Sequence, residues 1–101
     1  MNIQINASDE LVTVYLTGEI DHHSAGEIRE EIDRSLESNR PKQLVMDFKN
    51  VGFMDSSGIG LVMGRYKLMQ TMDGDVKIIN TPNHIKKVMK LAGLDKLAAI
   101  E

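Results

Sequence analysis

Apolar and polar residues alternate along this chain with two different periods, and the switches between them divide it into elements. Residues 2 to 6 alternate, with Ile3 and Ile5 on one face. A polar break at Ala7-Ser8-Asp9-Glu10 then leads into Leu11-Val12-Thr13-Val14-Tyr15-Leu16-Thr17. The two stretches predict a β-hairpin or adjacent strand pair, closed by Gly18-Glu19-Ile20-Asp21. Next the period lengthens: Ala25, Ile28, Ile32 and Leu36 form one stripe of a helix expected to reach about Glu37. Two start signals precede it, Asp21 itself and the capping-box pair Ser24 and Glu27. After a loop at Ser38-Asn39-Arg40-Pro41, the apolar run Gln43 to Phe48 reads as an interior strand, ended by a turn-like break at Lys49-Asn50-Val51-Gly52.

A second helix follows Asp55, with Ile59, Val62, Tyr66 and Met69 as its stripe, and stops at Asp73-Gly74, where glycine suits a left-handed cap. Asp75 to Asn80 is a further strand. Thr81 then serves as a cap before Pro82 at the first helical position, and Ile85, Val88, Met89 and Ala92 carry a third helix ending at Gly93. Leu97 to Ile100 closes the chain as a short strand. The order β-β-α-β-α-β-α-β predicts an α/β fold with a mostly parallel sheet of about five strands and the first strand antiparallel at an edge. In such sheets, sites gather beyond the carboxyl ends of the strands, which brings the 18–24 and 52–58 loops to one end.

The chain turns on Phe53-Met54-Asp55-Ser56-Ser57-Gly58-Ile59-Gly60, where strand passes into helix. Asp55, Ser56 and Ser57 can each accept a hydrogen bond from the free N–H groups of a helix start. The same groups, at the positive end of the helix dipole, can hold an anion, including a phosphate carried on a serine. Spacing leaves both readings open. Gly58, Gly60 and Gly64 each cost up to ~1 kcal/mol relative to alanine inside a helix, so something must offset them: a close backbone, a partner surface or a bound anion.

Composition narrows the classes. One hundred and one residues suffice for one core, so residues 1–101 are expected to form a single domain. A hydrophobic content of 42% with 27% charged residues argues against disorder. A net charge of −3 is the wrong sign for general nucleic-acid binding. The absence of cysteine excludes disulfides, thiol catalysis and cysteine-ligated zinc. The first residues lack a basic-then-apolar leader and no apolar run approaches the ~20 residues of a bilayer span, so a soluble, cytoplasmic protein without a membrane partner is expected.

Other constellations are weaker. His22-His23 with His84 falls short of a metal ligand set, so no metal or cofactor is expected. Ser56 has no nucleophile elbow around it and no histidine tied to it, which argues against a hydrolase. Asp47 lacks the acidic pair of a phosphate-accepting receiver and reads as a loop carboxylate. Gly58-x-Gly60 lacks the rest of a nucleotide loop. Lys86, Lys87 and Lys90 make a basic, solvated face on the third helix, and Met63, Met69, Met72 and Met89 sit at core spacings.

Taken together, Gly18-Glu19-Ile20-Asp21-His22-His23, the 53–60 stretch, Gly64-Arg65-Tyr66-Lys67 and Leu91-Ala92-Gly93-Leu94 resemble the STAS-domain anti-sigma factor antagonists, and most closely the branch that acts on anti-sigma-F factors during sporulation. The resemblance spans nearly the whole chain. It implies the STAS fold, although the usual final helix is not expected before Glu101. It also implies a regulatory partner switch without catalytic residues of its own. The unphosphorylated form would bind an anti-sigma factor that is also a serine kinase and so release the sigma factor. Phosphorylation on Ser56 would end that binding, and a metal-dependent serine phosphatase would restore it. Asp21, His22, His23, Asp55, Ser56, Ser57, Gly58, Gly60 and Gly64 are the implied partner-binding residues. Two alternatives remain: a STAS module binding a nucleotide or other small anion at the 55–58 helix start, and the same switch for a non-sporulation sigma factor.

Overall fold

The computed structural model describes residues 2–101. Strands β1 (Asn2–Ala7), β2 (Leu11–Ile20), β3 (Gln43–Met54), β4 (Asp75–Ile79) and β5 (Ala99–Ile100) lie side by side in sequence order. β1 pairs antiparallel with β2, and every later pairing is parallel. The edge antiparallel strand and the element order are those expected from the sequence. Helices α1 (Ala25–Asn39), α2 (Ser56–Thr71) and α3 (Asn83–Leu91) make the crossovers. Because the strand order is sequential, right-handed crossovers carry all three helices to one face. Val12, Val14, Leu16, Leu44, Met46, Phe48, Val76 and Ile78 point to that face, where Ile28, Ile32, Leu36, Leu61, Met69, Ile85 and Met89 cover them. Thr13, Tyr15 and Thr17 take the opposite, solvated side.

β3 departs from expectation. The break expected at Lys49 to Gly52 is not a turn, because the strand continues to Met54. Between Tyr15 and Thr17 the partner advances from Asp47 to Asn50, and between Gly18 and Glu19 from Val51 to Phe53. One extra residue of β3 is taken up at each place, which makes two bulges. The turn-forming residue types serve them: the Asp47 carboxylate accepts the Lys49 N–H at 2.9 Å, and Gly18 opposite has φ 110°. Asp47 therefore lies in a strand rather than a loop, and it also accepts from Asn80 Nδ2 at 3.0 Å. The bulges reset the strand's phase, burying Val51 and Met54 and leaving Phe53 50% exposed.

Element ends shift in smaller ways. α1 runs two residues past Glu37 and ends on Arg40 in the left-handed region, whose N–H reaches Leu36 O at 2.8 Å. At the end of α2 the left-handed residue is Asp73, not Gly74. Gly74 is needed for space instead, since a Cβ there would stand 2.8 Å from Lys42 O. Pro82, rather than Thr81, is the N-cap of α3. Gly93 is left-handed at φ 82°, as expected after α3, but Ala92 and Val88 are exposed. A 3-10 turn, Leu94–Lys96, occupies part of the stretch before β5.

Candidate functional site

At the carboxyl end of β2 the chain turns through Asp21 to Ser24. The Asp21 carboxylate accepts the N–H groups of His23 (2.9 Å) and Ser24 (3.1 Å), while Ser24 Oγ accepts the Asp21 N–H at 3.1 Å. This reciprocal arrangement is a capping box shifted by one turn. Ser24 makes no side-chain cap to Glu27, so of the two start signals Asp21 is the one that operates. Desolvation pushes the Asp21 carboxyl upward. The His23 and Ser24 N–H groups, the Ser24 hydroxyl and the nearby His23 outweigh it and hold the carboxyl below the usual range.

At the carboxyl end of β3, Asp55 takes extended backbone geometry and its carboxylate accepts the Ser57 N–H at 2.8 Å, capping α2. Ser56, the first helical residue, is exposed and free of that cap, whereas Ser57 is half-buried. The two loops are joined: Asp55 N–H donates to Ile20 O at 3.1 Å, and His22 Nδ1 lies 4.0 Å from Asp55 Oδ2. His22 and His23 stack with ring centroids 4.0 Å apart. His84 stands apart, its Nε2 3.0 Å from Gly52 O. Among the described residues no three His, Cys, Asp or Glu side chains gather as a metal site.

The three glycines of α2 separate by role. Gly58 is buried, and a Cβ there would collide with the Met54 side chain and approach Ile20 Cγ2 at 3.3 Å. Its neighbour is the fold itself, so of the residues assigned to partner binding it is the one that faces inward. At Gly60 and Gly64 a Cβ would meet nothing within 4 Å. Both line a groove of about 330 Å³ between α1 and α2, with Ser57 at its upper end.

The buried face of α2 is also turned from the expected stripe. Gly58, Leu61, Val62, Arg65 and Met69 are buried, while Ile59 and Tyr66 are half-buried at the core's margin. Arg65, only 6% exposed, is a residue that sequence reasoning missed. Its Nε lies 2.8 Å from Asp33 Oδ1 of α1, an ion pair between the two helices, and Arg65 Nη1 has no hydrogen-bond partner among the described residues. Burial raises the Asp33 carboxyl despite the attraction of Arg65, and burial lowers the Arg65 guanidinium despite Asp33. A signal was available: Arg65 falls four residues from both Leu61 and Met69, within an apolar stripe.

Comparison with known proteins matches residues 2–101 to the STAS domain family. An anti-sigma F factor antagonist of Paenibacillus polymyxa is 32% identical, over 99% of this chain and 87% of that protein. Among solved structures, the unphosphorylated form of the anti-sigma factor antagonist SpoIIAA superposes with a TM-score of 0.87 at 30% identity, covering 99% of this chain and 88% of the other. The phosphorylated form of the Bacillus cell fate determinant SpoIIAA gives a TM-score of 0.77 at 30% identity, covering 99% and 91%.

Proposed function

The chain belongs to the STAS-domain family and is an anti-sigma factor antagonist; on that premise we propose that it works as a partner switch whose control point is Ser56. The carrying observation is the exposed Ser56 at the start of α2, beside a neighbour cap and a second loop pinned to the same end. Unphosphorylated, this end docks on an anti-sigma factor that is itself a serine kinase, through Asp21, His22, His23, Asp55, Ser56 and Ser57 and the groove edge at Gly60 and Gly64.

A phosphoryl group on Ser56 adds nearly two negative charges next to Asp55. Glu19, Asp21 and Glu27 line a neighbouring depression, so the added charge enters an already acidic surface. Like-charge repulsion and the cost of desolvating the phosphate then oppose docking, while the helix start accommodates the group without unfolding. A metal-dependent serine phosphatase resets the switch. The protein itself acts as a regulator rather than a catalyst, and among the described residues no helix is long and apolar enough to cross a membrane.

Incubation with the anti-sigma kinase and ATP, followed by peptide mass spectrometry, should find one phosphoryl group on Ser56. Ser56→Ala should bind the kinase and stay unmodified, and Ser56→Asp should bind at least tenfold more weakly. Modification elsewhere, or none with a kinase active on another substrate, would reduce Ser56 to a helix-start residue and favour noncovalent anion binding there.

A further inference from the structure

The sheet has two free edges, and they are built differently. β5 ends it on one side with only two residues, too short to template another strand. β1 ends the other side with six, in unbroken register with β2 from Asn2 to Ala7, and β2 is its only strand neighbour among the described residues. An exposed edge of that length is commonly guarded by a lysine, a proline or a bulge. β1 has none of these: Asn2-Ile3-Gln4-Ile5-Asn6-Ala7 holds no charge and no proline, and its register never shifts. The helix layer does not close over it either, since Ile3 and Ile5 stay half-buried while Gln4 and Asn6 are exposed.

A second observation says what fits this edge. Asn2-Ile3-Gln4-Ile5-Asn6 reads the same from either end. Antiparallel pairing of two such strands about a two-fold axis through Gln4 sets Ile3 opposite Ile5 of the second copy on the helix side, and Gln4 opposite Gln4 on the open side. Like meets like on both faces, which is what an isologous interface requires. Each isoleucine pair buries apolar surface that one chain leaves half-exposed, and each Gln4 amide offers its counterpart both a donor and an acceptor. Although the chain carries a net charge of −3, the strand itself brings no like charges together.

We propose that the β1 edge is a self-association surface, on which a second copy of this chain adds its own β1 antiparallel and joins the two sheets into one. The two-fold axis, perpendicular to the sheet, keeps both helix layers on one face. It also points the carboxyl ends of β2 and β3 of the two copies in opposite directions, so both Ser56 sites stay free. A six-residue strand pair is small beside the ~800 Å² per partner of a standard interface, so the association is weak and concentration-dependent.

Sedimentation equilibrium of the full chain between about 1 µM and 1 mM should show the average mass rising from one chain toward two and no further. Gln4→Lys and Gln4→Glu each set two like charges on the axis. Each should raise the dimer dissociation constant at least threefold while melting like the wild type. An equimolar mixture of the two variants should recover wild-type association or exceed it. Ala92→Lys, an exposed change just past α3, should alter it less than 1.5-fold. A wild type that stays at one chain throughout, association indifferent to charge at Gln4, or a mixture that does not recover would overturn the proposal. So would a mass climbing past two chains, which would make the edge a seed for open stacking. Loss of kinase binding in both Gln4 variants would also overturn it, by giving the edge to a partner's strand.

Discussion

Asp21 and Asp55 do the same work at the two helix starts flanking the site, each lending a carboxylate to N–H groups two or three residues ahead. For Asp21 the folded-state pKa is depressed, so its stabilisation is complete above the unfolded value of about 4 and is lost as pH falls through the folded value. Asp21→Asn should therefore lower Tm at pH 7, with the gap to wild type closing in acid; thermal melts across pH would check it. Gly58→Ala should cost about 1–3 kcal/mol in urea unfolding, because its methyl group must displace Met54 from a packed site. Gly58 and Gly60 were indistinguishable in the sequence. What separates them is supplied by Met54 and Ile20, residues on two strands whose approach no local pattern encodes.

Between elements, the α1–α2 contact depends on a charge pair that burial disfavours on both sides. Arg65→Met alone should cost about 1–3 kcal/mol, below the ~3–5 kcal/mol of a fully buried pair because the Asp33 side chain keeps 26% exposure. Asp33→Leu with Arg65→Met should return to within about 1 kcal/mol of wild type, since both desolvation penalties go together. Urea titrations of the four members of that cycle measure the coupling. The place of Arg65 in the Leu61–Met69 row was readable, but its pairing was not, because α2 is apolar on several sides: Ile59, Val62, Tyr66 and Met69 made a sound stripe, and only the approach of α1 brings Asp33 to Arg65. α1 itself was legible, its polar face leaving Ile28, Ile32 and Leu36 a single way to face.

For the whole molecule, alternation of strand and helix sufficed to set the topology, and the topology alone brought the 18–24 and 52–58 loops to one end, joined through Asp55 and Ile20. Charge placed there should change binding and not folding. Ser56→Asp should shift Tm by less than the ~4–8 °C that 1 kcal/mol produces in a domain of this size, while its kinase affinity falls. A melt and a binding isotherm on the same sample decide it. The bulges of β3 stayed hidden because Asn50 and Gly52 are turn formers in either setting, and only pairing with β2 shows that the strand goes on. Those two surplus residues make chain length between Asp47 and Asp55 a matter of phase. Losing one would turn Phe53 toward the core and Met54 toward solvent, and would rotate the serine away from its companion loop. Losing both would restore the facing but draw the helix start back along the sheet. Over evolutionary time, this short segment should accept substitutions far more readily than changes in its length.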